Sequence, residues 1–301
     1  MHVNRNFRRV LPGMNTQLLF VFLLSTLSVG VVVLICGLPE PGTFERGVED
    51  EMSHVLLAET LAQGRLTNPP HPLWQHFETQ YVLHQPTYTS KYPPALPLLM
   101  AIGKWMGGHP FYGIWLGLGL MCVAVNWMLH AWVPPRWAFL GGILFTLHLG
   151  IISFWTYYYS GGGIPTVIGA ALLLGAMRRA IRQPTISSGI FVGLGLLILS
   201  FGRPYEGMIL ALCVAAVLAY WLFIDRSQKA SVKCRLVVVP IVVLLTITAV
   251  MHGVYNHAVT GNVTELPYQR YVSHYREVPN IMITRPGKPP DTPHVVMKAK
   301  W

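Results

Sequence analysis

Of the 301 residues, 52% are hydrophobic and only 11% are Asp, Glu, Lys or Arg, with a mean hydropathy of +0.46. A soluble domain of this length needs a charged surface, so the balance excludes one and points to a membrane protein. The formal charge of +10 is spread in short clusters between apolar runs, which reads as topology signals and phosphate or headgroup contacts rather than a nucleic-acid surface.

In chain order, Met1–Gln17 is basic through Arg5, Arg8 and Arg9 and precedes the apolar run Leu18–Leu38. That run is too long for the apolar core of a cleaved signal and has no small-residue cleavage site, so an uncleaved signal anchor is expected. A membrane-crossing helix needs about 20 mainly apolar residues. Six further runs qualify: Phe111–Val133, Trp137–Trp155, Gly162–Met177, Ile186–Phe201, Gly207–Ile224 and Leu236–Tyr255. Together they predict an all-α bundle of about seven spans. The stretch Pro93–Gly107 is shorter and carries Lys104, so it is expected to be a surface or re-entrant helix on the outer side. Another juxtamembrane helix is expected at Glu51–Gln63, with Asp50 as N-cap and Gly64 as its stop.

Placing the N-terminus in the cytoplasm puts Arg136, the Arg178, Arg179 and Arg182 cluster, and the Arg226, Lys229, Lys233 and Arg235 loop all inside. That is what the positive-inside rule requires of every short connection at once. Left outside are Pro39–Pro110, Thr156–Gly161, Phe201–Glu206 and the tail from Asn256. The expected organisation is therefore a cytoplasmic N-terminus (1–17), a transmembrane domain (18–255) with an outer loop (39–110), and an outer tail (256–301) in which Tyr268, Tyr271 and Tyr275 provide packing surface.

Three polar clusters fall on that outer side. Glu45, Arg46, Asp50 and Glu51 follow the first span; their carboxylates fit an acidic helix start or a general base beside apolar surroundings. Ser90-Lys91-Tyr92-Pro93-Pro94 opens the short helix, and Lys91 fits a snorkelling anchor or a phosphate contact. Arg203-Pro204-Tyr205-Glu206-Gly207 separates two apolar runs; Arg203 and Glu206 fit a pair that seals a turn, or a functional site, since charge so near hydrocarbon is costly. Tyr157 to Gly163 fits an aromatic belt with a loop, or a lid. Asn262-Val263-Thr264 matches a glycosylation acceptor.

The four cysteines, Cys36, Cys122, Cys213 and Cys234, imply neither a disulfide framework nor a CxxC metal motif. Of twelve histidines, His54, His71, His76 and His84 lack zinc-ligand spacing. There is no Walker loop, dinucleotide fingerprint or Ser-His-Asp framework, so no cofactor is called for and soluble nucleotide donors are not indicated.

The ordered clusters Asp50-Glu51, Lys91-Tyr92-Pro93-Pro94 and Arg203-Pro204-Tyr205-Glu206 resemble those of the GT-C membrane glycosyltransferases, the superfamily of protein O-mannosyltransferases and the lipid A aminoarabinose transferase. Gly64-Arg65-Leu66-Thr67-Asn68-Pro69 and Tyr268-Gln269 look closest to an uncharacterised bacterial branch of it. The resemblance implies that Asp50 is the catalytic base, with Glu51 as companion. It implies that Lys91 and Arg203 hold the donor phosphate, with Tyr92, Tyr205 and Glu206 in support. It further implies a polyprenyl-phosphate sugar donor, an acceptor on the outer face of the plasma membrane, and a chain that continues beyond this length in its relatives. A transporter or a non-catalytic subunit handling a lipid-linked or anionic substrate is the alternative. Ionisable groups within the spans would favour transport, and His130 and His148 are those singled out there.

Overall fold

The computed structural model describes residues 12–38, 50–148, 159, 163–225 and 228–275. The basic residues at positions 5 to 9, Glu45, Arg46, Arg226, most of the Tyr157–Gly163 stretch and the tail beyond Tyr275 lie outside the described residues.

The chain is an all-α membrane helix bundle. Among the described residues, five helices are long and apolar enough to cross a membrane: α1 (Met14–Cys36), α4 (Phe111–Trp132), α6 (Gly163–Arg182), α8 (Pro204–Phe223) and the continuous stretch Ala230–Thr260. The last is α9 (Ala230–Lys233) running through a π-helical segment into α10 (Val239–Thr260). Two more of the predicted runs are also helical, as α7 (Ile186–Gly202) and as α5 (Pro135–Leu147), whose run leaves the described residues after His148. Large apolar side chains such as Leu19, Leu23 and Leu27 on α1, or Val250 and Val254 on α10, stand exposed. Lipid is the solvent that tolerates such a surface.

The sequence explains where the helices start and stop. Pro135 and Pro204 occupy first turns, where the missing N–H costs nothing. Thr185 and Ser188 form a reciprocal capping box at the start of α7. Gly37, Gly108 and Gly261 take positive φ after α1, α3 and α10.

Two pairs of helices cross closely because glycines face backbone. A Cβ on Gly113 of α4 would lie 1.8 Å from the Leu99 carbonyl oxygen of α3, so α3 (Ala95–Gly107) folds back tightly along α4. Gly169 and Gly195 meet in the same manner where α6 crosses α7. At 13 residues, α3 rises only about 20 Å, too short to cross a hydrocarbon core. It is thus short, as the sequence predicts.

Helix α2 (Glu51–Ala62) matches the expected one, and Gly64 follows it with φ 73°. One expectation fails: Asp50 sits at the cap position but makes no capping bond, because its carboxyl is turned toward Tyr92. The outer loop also contains a small antiparallel hairpin, β1 (Val82–Leu83) with β2 (Thr89–Ser90), that no periodicity announced. A second boundary shifts as well: α10 continues through Asn256 to Thr260 rather than ending at Tyr255. The segment after it, α11 (Pro267–Tyr275), buries Tyr271 and Tyr275 against the hairpin region, so these tyrosines do supply packing.

Candidate active site

The site is assembled at the bundle end where α2, α3, α8 and α11 begin and α7 and α10 finish. The hairpin carries Lys91 and Tyr92 directly after β2. It is fixed under α2 by Ser53, whose Oγ donates to the Tyr81 carbonyl at 2.7 Å and lies 2.6 Å from Ser90 Oγ. Tyr81 adopts φ 64°, a left-handed conformation that a bulky residue holds only when its surroundings over-determine it. Three contacts do so. Its carbonyl accepts from Ser53 and from the Lys91 N–H, while its own N–H donates to Tyr271 Oη at 3.0 Å.

Tyr81 is thereby placed as one wall of an aromatic cage. The Lys91 ammonium, 3% exposed, lies 4.1 Å from the ring centre of Tyr271, 4.7 Å from Tyr81, 5.2 Å from Tyr268 and 5.5 Å from Tyr92. Ring faces attract a cation without neutralising it, so the lysine keeps a positive charge in a poorly hydrated place. That charge also acts on Asp50.

A cavity of about 280 Å³ joins the three sequence clusters, with Asp50, Lys91, Tyr92, Arg203, Tyr205 and Glu206 all in its lining. Burial pushes the Asp50 carboxyl above its usual range, opposed in part by a backbone hydrogen bond, the Tyr92 hydroxyl and Lys91. Its Oδ1 is buried without a hydrogen-bond partner. A proton-hungry carboxylate beside a fixed cation is suited to accept a proton. Arg203 is the single residue between α7 and α8 and pairs with Glu206 at 3.0 Å. Both are about half exposed, so the pair is weak and a bound anion can compete for the guanidinium.

Glu51 is not brought to this cavity. It is buried, and its Oε1 accepts from the Tyr159 backbone N–H at 3.0 Å. Nor do the four loop histidines converge: among the described residues no group of three or more His, Cys, Asp or Glu could hold a metal ion.

Several lining residues escaped the sequence reading. His54 stands one helical turn after Asp50 and stacks on Tyr92, 4.6 Å between ring centres. His252, Tyr255 and Asn256 come from α10, with His252 Nε2 3.1 Å from Ser200 Oγ of α7. The signal was available: polar residues spaced three and four apart at the end of an apolar run share one helix face.

Sharing Pro94 and Tyr255 with this cavity is an apolar groove of about 560 Å³ between α3, α6, α7 and α10. Its lining is aliphatic and aromatic throughout, with the Tyr255 hydroxyl as its one polar tip. Leu98, Val250, Met251 and Val254 at its edge are exposed, so the groove opens on the side of the bundle. Comparison of the chain with known families, with curated proteins and with solved structures returned no match.

Proposed function

We propose that this protein transfers a glycosyl group from a polyprenyl-phosphate-linked sugar to an acceptor on the outer membrane face. The observation that carries this reading is a single cavity lined by a carboxylate, a caged lysine and an exchangeable arginine, with an apolar groove open at the side of the bundle beside it, the two sharing Pro94 and Tyr255 in their linings. A phosphate lipid matches both halves: its chain suits the groove and its head suits the two cations.

In the proposed reaction Asp50 takes the proton of the acceptor hydroxyl or amine. The acceptor's lone pair attacks the anomeric carbon from the face opposite the phosphate, and the bond from that carbon to the phosphate oxygen breaks. The lipid phosphate leaves with the bonding electrons, and the configuration inverts. Lys91 and Arg203 stabilise the charge that builds on the phosphate, a stronger effect in a site with little water than in bulk solution. Tyr92 orients Asp50 through its hydroxyl, and Glu206 holds Arg203 until an anion displaces it. The basic connections at the other bundle end are assigned to the cytoplasm of a plasma (inner) membrane, with the N-terminus, which leaves the cavity on the outside.

The test uses the full chain in lipid nanodiscs with polyprenyl-phosphate sugars labelled in the sugar. Release of polyprenyl phosphate with transfer of label, abolished in Asp50→Asn, is expected. Lipid movement between leaflets without bond cleavage would replace this reading with transport.

A further inference from the structure

The cavity lining also carries a polar set with no task in the reaction above. His54, Tyr255 and Asn256 are 2%, 5% and 3% exposed, and all three line the cavity. Both ring nitrogens of His54, the Tyr255 hydroxyl and the Asn256 Oδ1 have no hydrogen-bond partner within the described residues. Leaving such groups unpaired costs roughly 1–3 kcal/mol each, so folded proteins rarely bury them without a use. Four such atoms from two helices in one cavity lining are prepared for a ligand that both donates and accepts.

The charges in the cavity lie elsewhere, on Asp50, Lys91, Arg203 and Glu206. His54 adds none, because complete burial pushes its imidazole down to about 3. A neutral imidazole offers one donor and one acceptor, a phenol offers both, and an amide oxygen accepts. Vicinal hydroxyls, each a donor and an acceptor, complement that set. An ammonium or carboxylate on the ligand, held against His54, Tyr255 and Asn256, would be desolvated without a charged partner among them.

We propose that His54, Tyr255 and Asn256 form the subsite that recognises the transferred group, and that this group is an uncharged, hydroxyl-rich sugar. The proposal rests on the donor reading above and adds the class of sugar to it. Tyr255 also touches the apolar groove, so it sits where sugar and lipid meet and sets the reach of the subsite.

The test compares four probes on the full chain in nanodiscs by equilibrium binding: polyprenyl phosphate alone, and the same lipid bearing a neutral hexose, an amino sugar or a uronic acid. The neutral hexose is expected to raise affinity at least tenfold over the bare lipid phosphate, and the two charged sugars to do less. His54→Phe and Tyr255→Phe keep their rings, and each should remove roughly five- to tenfold of the hexose advantage, read as the ratio of hexose-lipid to bare-lipid affinity within the same variant. If bare lipid phosphate binds but the hexose adds nothing, or both variants retain its full advantage, the subsite is overturned and the donor reading stands. Tighter binding of a charged sugar overturns the sugar class. Failure of every lipid to bind overturns both.

Discussion

Asp50 illustrates how burial and neighbours set a residue's chemistry. Because burial raises its carboxyl above the usual carboxylate range, and only the ionised form can take a proton, turnover should climb as pH rises through that raised pKa and level off above it. The other charged and titratable groups around the same cavity are Lys91, Arg203 and Glu206, His54 and His252, and Tyr92, Tyr205, Tyr255 and Tyr268. Lys91→Met removes a positive neighbour that lowers the Asp50 pKa, so the acid limb of the pH–rate profile should move to higher pH. The same change should weaken binding of the lipid phosphate. Asp50→Asn should cut turnover by roughly two to four orders of magnitude with donor binding kept, the usual reach of a general base. Since Asp50 makes no capping bond, its loss should leave the thermal transition near that of the parent. His54 gives an opposite sign. Its pKa falls from 6.5 unfolded to about 3 folded, so its contribution to stability is present above 6.5 and is lost as pH falls toward 3. The slope is at most about 1.4 kcal/mol per pH unit, and His54→Phe should flatten it in thermal melts between pH 7 and 4.

Among the elements, the helices were legible because an apolar run of sufficient length has few other options in a membrane. Each of the seven runs coincides with a helix in its described part. Less legible were the ends and the outer loop. Asn256, His257 and Thr260 are polar, so hydropathy ends the last helix early, while its backbone continues to the left-handed Gly261. The hairpin that positions Lys91 is held by Ser53, Tyr81 and Ser90 across long sequence separations, which no local pattern encodes. For the same reason the site was half visible: Asp50, Lys91 and Arg203 stood out as charges beside apolar runs, whereas His54 and Tyr255 were hidden inside helices. Glu51, adjacent to Asp50, points to Tyr159 because successive residues of a helix face different directions. The packing of α3 on α4 is testable. Gly113→Ala should destabilise the protein by at least about 1–3 kcal/mol, since its methyl meets a carbonyl that cannot move alone. Loss of thermal stability and of lipid phosphate binding together is the expected outcome.

At the scale of the molecule, the charged connections divide between two ends. Arg136, Arg179 and Lys233 lie at one, and Lys91 and Arg203 at the other. The proposed orientation predicts that, in a chain with its native cysteines replaced by alanine, a cysteine at the exposed Thr264 reacts with an impermeant thiol reagent from outside. One at the exposed Ser231 should react only after permeabilisation; the reverse pattern would invert the protein. The lysine cage also has a consequence for how the protein is made. Tyr81 and Tyr271, two of its walls, are 190 positions apart, which at about 5–20 residues per second leaves roughly 10–40 s of synthesis between them. Throughout that interval the ribosome holds a partly inserted chain whose lysine has only half its rings, so the pocket acquires its final shape only after the two α11 tyrosines have been made.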